Sequence, residues 1–177
     1  MDRLRNYDVE FSGLKTGKHS FRFEISEAFF ELFDTEREFT NPRLTADVLL
    51  DKHSTFLEFT VRTYGVIKLI CDITADPFDY DIDSSIKVLV KFGEEYDDSN
   101  EEVITIPAGN HAFNVAQLIY EEVMLSVPMK KISPQATEED FKLVERYSVS
   151  EVPVEENYDE TTIDPRWAAL KNLKNKN

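Results

Sequence analysis

Apolar and polar residues alternate through the first part of the chain. Tyr7, Val9 and Phe11 are separated by Asp8 and Glu10, and Phe21, Phe23 and Ile25 by Arg22 and Glu24. A period of two places one residue set on one face of an extended chain, so both runs predict strands with a single buried face. Ser26 is positioned to cap a short helix over 27–33. Between Leu44 and Phe92 the same signal predicts about four strands, at 44–50, 56–63, 66–73 and 78–92. The last has a bend or break near Ser84-Ser85. Asp51-Lys52-His53-Ser54 and Thr63-Tyr64-Gly65 read as the turns between them. Spacings this short leave no room for crossover helices and predict an antiparallel meander. Glu94 to Glu102 reads as an acidic loop, and Val103 to Pro107 as a short strand.

The period then changes. Val115, Leu118, Ile119 and Val123 recur at helical spacing, predicting a helix over 115–126 with these residues facing the core. Asn114 is a good N-cap, and Pro128 marks the end. Thr137 with Asp140 three residues on resembles a capping box opening a second helix that carries Phe141, Val144 and Tyr147. The expected class is therefore α+β: an antiparallel β-meander sheet packed by two or three helices, with 115–126 and 138–147 lying over it. Residues 1–147 are expected to form one domain. Residues 148–163 read as an acidic linker, with Pro153, five acids and no Lys or Arg. After it, Asp164 can cap and Pro165 fits the first turn of a short helical tail over 164–177.

Length and composition agree with a folded domain. The 177 residues are 41% hydrophobic, enough to bury a core. Thirteen Phe and seven Tyr against one Trp lean towards β-structure. Charge changes the picture more. Thirty-five acids oppose 20 Lys and Arg, for a net charge of -15. Proteins that hold nucleic acid unaided usually present a basic surface, so the chain as a whole repels a polyanion and attracts a basic partner. The same acidity also serves solubility alone, and the charge by itself leaves both readings open. No apolar run approaches the roughly 20 residues of a membrane span. The opening Met1-Asp2-Arg3-Leu4-Arg5-Asn6 has no apolar stretch behind its charges, unlike a secretory signal. One cysteine, Cys71, builds no disulfide framework and fits a reducing compartment. The expectation is a cytoplasmic protein with no membrane partner.

Candidate chemistry is sparse. Asp79, Asp81 and Asp83 imitate the start of a calcium loop, but the required sixth-position Gly and twelfth-position Glu are Ser84 and Val90. Their alternation with Phe78, Tyr80 and Ile82 fits a strand with a solvated acidic face. His19, His53 and His111 lie in no metal motif. Cys71 sits in an apolar run beside Asp72, which favours a buried thiol over a nucleophile. No Gly-rich phosphate loop is present. The expectation is no catalytic centre, no metal, no cofactor and no small-molecule substrate. The tail differs: from Arg166 onward there are four basic residues and no acid, with Trp167 and Leu170 among them. Trp and Arg anchor interfaces. The segment reads either as a partner-binding element or as a tether folding back onto the domain.

The run Val103-Ile104-Thr105-Ile106-Pro107 followed by Asn114 to Pro128, with Glu121, Leu125 and Pro128 in it, resembles the strand-then-helix block of the YceD-like family, which ends Leu-x-x-Pro. Asp164-Pro165-Arg166-Trp167-Ala168-Ala169-Leu170-Lys171 is similar to that family's Asp-Pro-Arg-x-x-x-Leu terminus. Leu69-Ile70-Cys71-Asp72 resembles its central cysteine-containing strand. The similarity extends over roughly residues 66–134 and 159–177.

The resemblance implies a large ribosomal RNA subunit accumulation protein, a non-catalytic factor in accumulation or processing of 23S ribosomal RNA. Two mechanisms fit that role: the acidic body shields or delivers a basic ribosomal protein on the pre-large-subunit particle, drawn by the charge of -15, or the basic tail (Arg166, Lys171, Lys174, Lys176) touches ribosomal RNA while the body faces protein. Many members carry a Cys-x-x-Cys pair and later cysteines. Here the pair reads Cys71-Asp72-Ile73-Thr74 and residues 132–163 hold no cysteine, so a zinc knuckle is not available. The alternatives are an acidic interaction module unrelated to ribosomes, or an RNA-processing enzyme.

Overall fold

The computed structural model describes residues 3–100 and 102–147. The linker 148–163 and the tail, with Asp164, Pro165, Arg166, Trp167, Leu170, Lys171 and Lys174, lie outside the described residues. The strands are β1 (Asp8–Glu10), β2 (Gly17–Ile25), β3 (Thr40–Lys52), β4 (Phe56–Ile70), β5 (Pro77–Gly93), β6 (Asp97–Asn100), β7 (Val103–Pro107) and β8 (Ala112–Asn114). The helices are α1 (Glu27–Phe30), α2 (Ala116–Ser126) and α3 (Glu138–Tyr147), and a 3-10 turn spans Arg3–Tyr7. The class is α+β. Strands β2 to β5 form an antiparallel meander, in the sheet order β2-β3-β4-β5-β7-β6. A second, two-stranded sheet pairs β1 with β8.

The alternation seen in the sequence decides which face is buried. Leu44, Ala46, Val48 and Leu50 on β3 face inward, as do Leu57, Phe59, Val61, Ile67 and Leu69 on β4. The opposite face carries cross-strand ion pairs. Arg22 Nε lies 2.7 Å from Asp47, Arg62 Nη2 2.7 Å from Asp83, and Lys68 Nζ 2.9 Å from Asp79. Hydrogen bonds from these cations hold the three Asp carboxyls below the usual carboxylate range. The pairs are solvated, so each contributes little to stability. They set register more than stability. Asp79, Asp81 and Asp83 stand on this exposed face.

Four expectations are corrected. Residues 56–63 and 66–73 are not two strands: β4 runs unbroken from Phe56 to Ile70, and Cys71 to Thr74 form the turn after it. Thr63-Tyr64-Gly65 lies inside β4 because Gly65 serves a close approach there. Its φ is +139°, and a Cβ would sit 2.3 Å from the Arg43 carbonyl oxygen. That contact falls where the β3 register shifts between Thr40 and Arg43. Strand β5 is likewise continuous through Ser84-Ser85. The acidic run after β5 is not only a loop: it holds β6, which descends along the sheet edge so that β7 returns beside β5 in parallel. A parallel neighbour is thus reached with no crossover helix. The acids on β6 suit an edge strand, where charge discourages pairing with other chains.

The helices divide. Strands β4 and β5 carry α2 on their inner side, and Leu118, Ile119 and Val123 are buried as the period requires. The helix starts one residue later than expected, with Val115 as its N-cap residue. Asn114 still contributes: its Oδ1 accepts the Ala116 N–H at 3.0 Å, and its Nδ2 donates to the Leu4 carbonyl at 2.7 Å. The one-turn α1 carries an aromatic cluster. Phe29 packs edge-on to Tyr7, Phe30 and Phe33, and Phe33 stacks on Tyr120 of α2 at 4.1 Å. The capping box of α3 is present, with Asp140 accepting the Thr137 N–H at 2.8 Å. That helix does not cover the sheet, however. Phe141, Leu143 and Val144 are all exposed.

Candidate functional site

Three of the expected family-motif residues, Glu121, Leu125 and Pro128, sit on or just after α2. Leu118, Ile119 and Val123 form its buried stripe, while Glu121 and Leu125 are exposed. Leu125 is 83% exposed. Glu121 accepts a hydrogen bond from Gln117 Nε2 one turn earlier, at 2.5 Å. Ser126 donates back to the Glu122 carbonyl at 2.6 Å, and Val127 leaves the helix in an extended conformation before Pro128.

Opposite this face stands the β6–β7 hairpin, and between them runs an open groove of about 890 Å³. Its floor is apolar, built from Ile104, Ile106, Phe113, Leu118 and Met124. Asp98 on β6, Asp8 on β1, and Glu121 and Glu122 on α2 supply carboxylates to its walls. No Lys, Arg or His is among the residues lining it. Tyr96 stands 59% exposed at the rim. Partial burial, then the Asp98 and Glu121 carboxylates, push its phenol above the ordinary value.

Cys71 is not part of this groove. It is 1% exposed, in the turn after β4, under the segment that follows α2. The Asp72 N–H donates to the Lys131 carbonyl at 2.7 Å, and Asp72 Oδ2 accepts the Lys131 N–H at 2.6 Å. Ser133 N–H donates to Cys71 Sγ at 3.3 Å. Where the resemblance implies the second cysteine of the Cys-x-x-Cys pair, this turn holds Thr74. Backbone N–H bonds from Ser133 and Thr74 bring the thiol down to about 7, against the effect of burial. Among the described residues no group of three or more His, Cys, Asp or Glu is placed to hold a metal ion. Among them, too, no helix is long and apolar enough to cross a membrane.

Sequence reasoning singled out Glu121 and Leu125 but missed the groove they border. Tyr96 comes to it from the loop before β6, Asp98 from β6, Ile104 from β7 and Phe113 from β8, segments that no sequence pattern joins to α2. Periodicity gave no sign of Leu125's exposure: it lies seven residues after Leu118, at the edge of the same stripe, yet it is 83% exposed while Leu118 is buried.

No curated protein and no solved structure matched the chain. One family description did, that of the large ribosomal RNA subunit accumulation protein YceD, over residues 59–174. The matched span starts within β4 and takes in α2, the β6–β7 hairpin and the Cys71 clasp. The chain belongs to the YceD family of large ribosomal RNA subunit accumulation proteins.

Proposed function

We propose that this protein is a non-catalytic, cytoplasmic factor in large ribosomal subunit biogenesis, supporting accumulation or processing of 23S ribosomal RNA by binding a basic ribosomal protein on the pre-large-subunit particle. The observation that carries the reading is the family match over residues 59–174. The net charge of -15 supports a protein partner over direct capture of RNA by the body, because a polyanion meets repulsion and a basic protein meets attraction. A contact with ribosomal RNA is assigned to the basic tail through Arg166, Lys171 and Lys174, with Trp167 and Leu170 as apolar anchors after Asp164-Pro165.

Depletion of the protein from cells that make it tests this reading. Mature large-subunit ribosomal RNA should fall relative to small-subunit RNA, and unprocessed 23S precursor should accumulate or be lost. An unchanged ratio in depleted cells contradicts it.

A further inference from the structure

We propose that the groove between α2 and the β6–β7 hairpin is a docking surface for a basic, amphipathic segment of a protein partner. The segment's apolar side chains lie on the groove floor and its Lys and Arg lie along the rim. The proposal deepens the reading of the function and rests on it for the partner's identity, though not for the chemistry of the groove.

The groove is open, and apolar residues stand out of it rather than filling it. Leu125 is 83% exposed and Tyr96 59% exposed. Exposed apolar residues gathered around a concave floor mark binding surfaces more than a stray surface leucine does. Helix-in-groove recognition lays apolar anchors, spaced along one helical face, on an apolar floor of this kind. The charge chooses among occupants. The lining contains four carboxylates and no base. An RNA strand would bring phosphates against these carboxylates with no cation to receive them. An acidic or neutral peptide would leave the rim unpaired. A segment with apolar residues on one face and Lys or Arg on the other satisfies floor and rim together.

The test uses the full chain, isotope-labelled, and a synthetic 15-residue peptide of Leu, Ala and Lys with all Leu on one helical face. Two controls have the same composition with the face scrambled, or Glu in place of Lys. Backbone resonances of Tyr96, Asp98, Phe113 and Leu125 should shift with the patterned peptide and stay still with both controls. Leu125→Asp should weaken binding tenfold or more. Glu121→Lys with Glu122→Lys should weaken it at least fivefold, and Asp81→Lys on the outer sheet face less than twofold. A dispersed amide spectrum confirms that each variant is folded.

Equal binding of the scrambled peptide, or full binding by folded Leu125→Asp, overturns the proposal. A large-subunit RNA fragment shifting the same resonances overturns it too. So do groove resonances that move on Trp167→Ala with no peptide present, since the chain's own tail would then be the occupant. Depletion separates the two readings. If the patterned peptide fails to bind while depletion still lowers large-subunit RNA, the groove inference falls and the function stands. If the peptide binds and depletion changes nothing, the function falls and the groove remains a basic-segment site.

Discussion

At the scale of single residues, the inner face of β4 holds both its tightest and its least satisfied position. Gly65 sits where a Cβ would meet the Arg43 carbonyl oxygen at 2.3 Å, with φ at +139°. Gly65→Ala should destabilise the fold by about 2 kcal/mol or more, from backbone strain and the displaced β3 carbonyl together. Thermal melting measures it, and an unchanged midpoint would count against the contact. Two residues earlier, Thr63 is buried, and its Oγ1, like Oγ of its cross-strand partner Ser84, has no hydrogen-bond partner. Thr63→Val keeps the shape and removes an unsatisfied hydroxyl, so it should be neutral or stabilising by up to about 1 kcal/mol. A clear loss of stability would mean that the hydroxyl has a partner. Cys71 gives a pH dependence. Its thiol is lowered from an ordinary 9.0 to about 7, so the folded state gives up its proton first. The resulting stabilisation is full above pH 9 and is lost as pH falls through 7. Wild type should therefore gain on Cys71→Ala as pH rises from 7 to 9 in denaturant titrations. A constant difference would remove the N–H bonds from Ser133 and Thr74 as the cause.

At the scale of elements, periodicity was legible wherever a segment had one wet and one dry face. The alternation of Phe21, Phe23 and Ile25, and of the β3 and β4 residues, placed strands where they occur. The stripe Leu118, Ile119, Val123 placed α2 within one residue. The pattern failed where its physical premise was absent. Strand β6 carries Asp97, Asp98, Ser99 and Asn100 and is exposed throughout, so no alternation announces it. Gly65 signals a turn in isolation, but its freedom is used to admit a neighbouring bulge. Helix α3 has a strongly amphipathic pattern, yet its apolar side is exposed, because periodicity says that a face is apolar and not what covers it. Phe141→Ser should thus change stability by less than about 0.5 kcal/mol. Phe30→Ala, which removes a 2% exposed ring packed on Phe29 and Phe39, should cost about 3–5 kcal/mol. Denaturant midpoints compare the two; similar losses would mean that α3 packs against the body in solution.

At the scale of the whole molecule, the surfaces have different characters. The outer face of the sheet is a mixed-charge lattice that pairs internally, with Asp47, Asp79 and Asp83 each held by a cation. The groove has carboxylates and no Lys, Arg or His among its lining residues, so no base in the lining neutralises its charge. The net charge of -15 was readable from the sequence, but where it is paired and where it is free depends on cross-strand register and on the β7 insertion. The family terminus, with Trp167, lies outside the described residues, and the RNA-facing role is proposed for its basic residues. On the proposed function, the acidic body holds a protein partner and the basic tail is the part that approaches RNA. Such a protein should bind naked large-subunit RNA weakly at physiological salt while associating with the assembling particle. Gradient sedimentation of cell extract tests this most directly, with the protein followed by antibody and the particles by their RNA. The account predicts that the protein travels with pre-large-subunit particles at low salt, is released at high salt, and fails to co-sediment with protein-free 23S RNA. Recovery only at the top of the gradient at low salt, or equal sedimentation with protein-free RNA, would contradict it.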